Sequence, residues 1–148
     1  MSIKPLKVLA AKPGPGTNYV PNPFPGSKVT QVLYHGTNAG NFLKFKRPPQ
    51  GIYVTPYRDW AVDYYSSGKG TVIPIYANVL KLKVLNPSNK SDDQVIDLFY
   101  DRDYSGIEQA LKSLAAKGYN ACKFGGESDS MVLFNNIQIV NAITGKAM

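Results

Sequence analysis

One cysteine, one histidine and one tryptophan stand in a chain of 148 residues. Cys122 has no partner, so no internal disulfide forms and the fold needs no oxidising compartment. One histidine and one cysteine fall short of the usual four-ligand Cys/His set of structural zinc, so no metal is expected. No apolar run approaches the ~20 residues of a membrane-crossing helix, so no membrane partner is expected. Met1–Ala11, interrupted by Lys4, Pro5 and Lys7, is too short for a secretory signal. Negative charge is missing from the whole first part of the chain. Residues 1–58 hold Lys4, Lys7, Lys12, Lys28, Lys44, Lys46, Arg47 and Arg58, and the first acid is Asp59. The formal net charge is +7. One end of the molecule therefore carries a positive field, which suits a dinucleotide, a nucleic acid or an acidic protein.

What is present divides the chain in two. Residues 12–27 contain five prolines and three glycines. Proline fixes φ and removes a donor, so this stretch is neither a regular helix nor a central strand. Residues 1–28 read as a basic Pro/Gly-rich arm or linker, of the kind that joins a module to a longer carrier. Residues 29–148 read as one domain, a size able to bury its own core.

Within that domain the pattern is rich in strands. Val29–Tyr34 reads as a strand ending in a polar turn over His35–Asn41. Gly51–Thr55 reads as a second, short strand. Thr55-Pro56 reads as an N-cap followed by proline at the first helical position, opening a helix to about Ser66. That helix sets Trp60 and Tyr64 on one face, with Tyr57 and Ala61 beside them. Thr71–Val84 is a long β-branched run, and Pro74 inside it predicts an edge position or a bulge. Asn86–Asp103 reads as mostly loop, with a helical turn around Gln94–Tyr100. Ser105-Gly-Ile-Glu108 fits a capping box, Ile107, Leu111 and Leu114 follow at helical spacing, and Gly118 closes the helix. Short strands are expected at Tyr119–Phe124, Met131–Phe134 and Ile137–Ile143. Strands and helices without strict alternation predict an α+β fold with largely antiparallel sheets.

The chemistry lies in Tyr34-His35-Gly36-Thr37, then Gly51-Ile52-Tyr53, then Tyr64 eleven residues after Tyr53. This order resembles the histidine–tyrosine–glutamate branch of the ADP-ribosyltransferases, which includes diphtheria toxin and the poly(ADP-ribose) polymerases. Gly118-Tyr119-Asn120-Ala121, Met131–Phe134 and Ile137-Gln138-Ile139 resemble the end of small transferase toxin domains from phage and secreted polyproteins. The resemblance spans roughly residues 29–143 in its order of elements; its motifs are much shorter. It implies split antiparallel β-sheets with two or three short helices.

The resemblance also implies roles. NAD is the co-substrate, with no metal. Tyr53 and Tyr64 hold the nicotinamide ring between aromatic faces, with Tyr65 the alternative on the helix. Gly36 offers its backbone to the carboxamide, and glycine permits the close approach. His35 bonds an adenosine ribose hydroxyl, and Tyr34, Thr37 and Ala61 complete the pocket. As nicotinamide leaves, the ribose becomes oxocarbenium-like, a cation that a carboxylate steadies in related chemistry. Here the pattern departs from the family: Ser130 occupies the position of the expected glutamate. Glu127, three residues upstream, is the first candidate to replace it. Asp129 is the second, and a carboxylate-free site is the third.

These readings give a mono-ADP-ribosyltransferase toxin acting on a macromolecule, with RNA favoured over protein. It would act in the cytoplasm of a target cell after delivery within a secreted polypeptide, and an immunity protein would neutralise it. An NAD glycohydrolase and a non-catalytic NAD or nucleic-acid binding module are the alternatives. Phosphate transfer from RNA 2′ ends ranks low, because Arg47, Arg58 and Arg102 are the only arginines.

Overall fold

The computed structural model describes residues 18–40, 42–62, 70–124 and 129–148. Two small sheets and three helices make an α+β architecture. The first sheet orders β1 (Leu33–Thr37), β3 (Thr71–Ala77) and β7 (Ile139–Asn141), all antiparallel. The second orders β2 (Ile52–Val54), β6 (Met131–Leu133), β5 (Ala121–Lys123) and β4 (Leu82–Val84). Its β4–β5 pair is parallel and the rest antiparallel. The helical elements are a turn, α1 (Arg58–Trp60), and two longer helices, α2 (Lys90–Tyr100) and α3 (Tyr104–Ala116).

Alternation along the strands sorts side chains into layers. Leu33, Ile73 and Ile75 from the first sheet meet Ile52, Val54 and Leu133 from the second, forming the core between the sheets. On the outer face of the second sheet, Cys122 and Val132 pack under Ile96, Phe99, Ile107, Leu111 and Leu114 of the helices. Fully burying such a side chain contributes roughly 1.5–3 kcal/mol. On the outer face of the first sheet, Val32, Tyr34 and Tyr76 pack with Ala61, Val20 and Phe24. The proline-rich stretch, where described, therefore lies against the domain. Val20 N–H donates to Ala142 C=O (2.8 Å), and buried Ser27 donates to Ala77 C=O (2.8 Å) while accepting from Val79 N–H.

Five sequence expectations change. First, His35, Gly36 and Thr37 belong to strand β1, not to a turn, because β3 pairs with them as far as Thr37↔Thr71. Second, the Thr71–Val84 run is two strands in different sheets, and Pro74 sits in the central strand of its sheet. The ladder explains the tolerance. Pro74 faces Tyr34, whose own backbone groups turn away to Thr55. On its other side Pro74 C=O accepts from Ala142 N–H, and Val20 N–H takes the Ala142 carbonyl that Pro74 cannot serve. Third, Thr55 does not cap a helix. Its backbone is paired with Tyr34, its hydroxyl oxygen accepts from Tyr57 N–H (3.2 Å), and the helical turn starts only at Arg58. The remainder of the expected helix, with Gly68 and Lys69, falls in 63–69, outside the described residues. Fourth, Lys90–Tyr100 is a full helix, capped by the Asn89 side chain on Asp92 N–H (3.0 Å), with Asp92 and Asp93 favourably placed in its first turn. Fifth, Asp103 caps α3 through Gly106 N–H (3.1 Å), and Ser105 lies inside the helix. Gly118 closes that helix at φ 93°, as expected.

Candidate functional site

Strands β1 and β2 meet at a single rung and then part. Tyr34 N–H donates to Thr55 C=O at 2.8 Å and Thr55 N–H to Tyr34 C=O at 3.0 Å. Beyond that rung the two strands join different sheets. A continued ladder would set Gly36 opposite Tyr53. Instead His35 fills the gap, with Nδ1 2.8 Å from the Tyr53 carbonyl oxygen. A carbonyl only accepts, so Nδ1 carries the proton and Nε2 is left as an acceptor.

Gly36 follows from the same geometry. Residues two apart in an antiparallel strand aim their backbone groups the same way. Tyr34 aims at Thr55, so Gly36 aims its N–H and C=O into the split between β1 and β2. No hydrogen bond meets them among the described residues.

The split opens into a cavity of about 780 Å³ with mostly apolar walls. Its size and character suit a small-molecule or cofactor site. His35, Gly36 and Thr37 line it from β1, and Gly51, Ile52 and Tyr53 from the β2 side. Phe42, Lys44, Phe45 and Lys46 line it from the connecting segment, and Tyr104 from the start of α3. Gly51 is required where it stands. Its φ is +88°, and an added Cβ would lie 2.4 Å from Val132 Cγ1 and 3.0 Å from the Leu133 carbonyl. The His35 ring is clamped edge-on by Phe45 (5.0 Å between centroids) and Phe42 (6.1 Å). Burial pushes its pKa below the ordinary 6.5, outweighing the Tyr53 carbonyl bond that favours the proton. The imidazole is therefore neutral at pH 7.

The structure thus gathers His35, Gly36, Thr37 and Tyr53 around one cavity. It sends two expected pocket residues elsewhere. Tyr34 is wholly buried on the opposite face of β1, its hydroxyl 3.4 Å from that of Tyr19, and burial raises its pKa far above the usual phenol range. Ala61 is wholly buried in the same cluster. For Tyr34 strand alternation is the reason: neighbours in sequence face opposite layers. Asp129 does not line the cavity; it sits at φ 45° and pairs with Lys123 at 3.7 Å. Ser130 beside it is buried. Tyr64, Tyr65 and Glu127 lie outside the described residues. The Tyr53 ring meets Phe99 edge-on at 6.0 Å.

The sequence pattern placed Gly51 in the motif without a role of its own, missed Phe42, Phe45 and Tyr104, and gave Lys44 and Lys46 no particular place. The aromatic–basic alternation in Phe42-Leu43-Lys44-Phe45-Lys46 was the available signal. Tyr104 carries none, since it comes from a helix far along the chain. Together these residues offer an adjacent backbone donor and acceptor, an imidazole acceptor, an aromatic ring and two cations.

Fold and site define an α+β domain with a ligand-sized pocket where its two sheets part. No family model, curated protein or solved structure matches the chain.

Proposed function

We propose that the pocket binds NAD and that the chain is a mono-ADP-ribosyltransferase. One observation carries this reading: the N–H and C=O of Gly36, unpaired among the described residues, face the cavity beside His35 and Tyr53. A carboxamide presents an acceptor and a donor on adjacent atoms, which such a backbone edge matches pair for pair. The ring of Tyr53 would pack against nicotinamide. The bare Nε2 of His35 would accept from a ribose hydroxyl, as the neutral tautomer requires. In the transfer, the ribose C1′–nitrogen bond breaks and nicotinamide leaves with the electron pair. An acceptor oxygen then bonds C1′ and gives up its proton.

The basic character of residues 1–58 favours RNA over protein as acceptor, because phosphates supply the matching charge. Such a protein would act as a toxin. One observation favours a second reading, a non-catalytic NAD-binding module. No carboxylate lines the cavity among the described residues, and Asp129 is engaged with Lys123.

Nicotinamide release from NAD separates the readings. Release with label retained on RNA marks the transferase, and release without retained label marks a glycohydrolase. NAD binding without release marks the module. Absence of NAD binding by the wild-type chain would end all three. His35→Ala should reduce release by tenfold or more, on the order expected for losing a charge-free but buried hydrogen bond and its packing.

A further inference from the structure

Lys44 and Lys46 are exposed side chains that line the same cavity. Between them Phe45 is buried and packs edge-on against His35. The segment is pinned on both sides of that anchor. Phe45 N–H donates to Met148 C=O at 3.1 Å, and the Arg47 guanidinium donates to the carbonyls of Ile137 and Asn135. Arg47 is thus occupied in holding the backbone, whereas Lys44 and Lys46 pair with no carboxylate among the described residues. No acid lines the cavity among those residues, and residues 1–58 contain none. Thr37 adds a neutral donor: its oxygen accepts from Ala39 N–H at 3.0 Å, which leaves the hydroxyl proton for a ligand.

From this we infer that Lys44 and Lys46 form a phosphate-binding rim on the pocket, made for the phosphate ester of a ligand whose remaining part enters the cavity. Two ammonium groups on a fixed segment, uncompensated by any acid among the described residues, attract anions most strongly where apolar walls focus the field. Buried Phe45 holds the pair in place before any ligand arrives, which lowers the ordering cost of binding. The inference extends the NAD reading by naming the group at the mouth, but it rests on the lysines and not on Gly36. Two sources offer this chemistry: the diphosphate of a dinucleotide and the backbone of a polynucleotide acceptor.

Titration calorimetry of the whole chain tests it with five probes: inorganic pyrophosphate, NAD, ADP-ribose, adenosine and a short single-stranded RNA. The proteins are wild type, Lys44→Ala/Lys46→Ala and Lys44→Arg/Lys46→Arg. Both side chains are exposed, so the fold should survive, which circular dichroism checks. The double alanine variant should bind pyrophosphate at least about tenfold more weakly, leave adenosine unchanged, and be rescued by arginine. Weaker ADP-ribose with unchanged RNA assigns the rim to the dinucleotide; the reverse assigns it to the acceptor. If the double variant binds every phosphate ligand as tightly as wild type, the rim does not exist. A wild-type chain that binds none of them leads to the same conclusion. Pyrophosphate held by the lysines without any binding of NAD would leave the rim standing and defeat the NAD reading. NAD binding by a wild-type chain whose NAD, pyrophosphate and RNA affinities are all indifferent to the lysines would do the opposite.

Discussion

Placing one imidazole where two strands part makes His35 sensitive to pH. Its folded pKa lies below 6.5, chiefly through burial, while in the unfolded chain it stays near the ordinary value. Between those two values the unfolded chain binds more protons than the folded one. Stability therefore rises with pH across that window and is lost as pH falls below about 6.5. Urea midpoints measured from pH 7 to pH 5 should fall for wild type and fall less for His35→Leu. Equal slopes for the two proteins would show that His35 is not held neutral by the fold. At this scale the sequence was informative about identity and misleading about direction. Tyr34 and His35 are neighbours in one motif, yet one seals the outer face of β1 and the other closes the cavity. Only the strand character of residues 35–37, set by pairing with β3, separates them.

Helix ends show what a local code can and cannot carry. Helix α3 ends in a left-handed glycine, with Gly118 N–H donating to Ala115 C=O (3.0 Å) and Tyr119 N–H to Leu114 C=O (3.2 Å). Helix α2 ends in the same hydrogen-bond pattern. Arg102 N–H donates to Phe99 C=O (3.2 Å) and Asp103 N–H to Leu98 C=O (3.0 Å), but the left-handed residue is Arg102 at φ 54°. The first end was legible because glycine marks it. At the second, arginine carries no such mark; only a helical turn around Gln94–Tyr100 was legible, and the helix extends back to Lys90. A left-handed non-glycine residue costs about 1–2 kcal/mol. Arg102 is exposed, so replacing it sacrifices little packing. Arg102→Gly should raise stability by up to about 1 kcal/mol, after the entropy that glycine adds to the unfolded chain. Gly118→Ala should lower stability by a similar amount. Urea unfolding of both variants is the check, and an unchanged or lowered midpoint for Arg102→Gly would contradict the strain.

Across the whole molecule, Cys122 reports on how completely the helices cover the second sheet. It is fully buried among Ile107, Leu111, Leu114 and Val132, and desolvation pushes its thiol up to about 12. The thiolate is the reactive species, so native protein should react with thiol reagents only through unfolding. Labelling with dithionitrobenzoate should be slow in buffer and accelerate with urea in parallel with global unfolding. Rapid labelling of the native chain would mean that the helical layer opens independently of the sheets. Charge is also arranged at this scale. The acids Asp92, Asp93, Asp97, Asp101, Asp103 and Glu108 gather on or between α2 and α3, whereas Lys44 and Lys46 stand at the cavity. Pocket and helical layer are thus electrostatically distinct, and only the acid-free stretch before Asp59 hinted at it.

Composition and periodicity by themselves determined the mixture of strands and helices, the closing glycine of α3, the burial of its apolar stripe and the absence of acid from residues 1–58. Each depends on a residue's own chemistry or on neighbours within a few positions. Tertiary structure decided the rest. It carried Pro74 into a central strand by supplying Val20 as substitute partner for the Ala142 carbonyl. It took Thr55 from a helix cap by pairing it with Tyr34, and it made the cavity by ending that ladder after one rung. A hydrogen bond between residues 21 apart in the chain leaves no trace in either residue's local pattern. The strands are short, so one such rung determines which backbone groups are spent in the sheet and which, as at Gly36, are left facing the cavity.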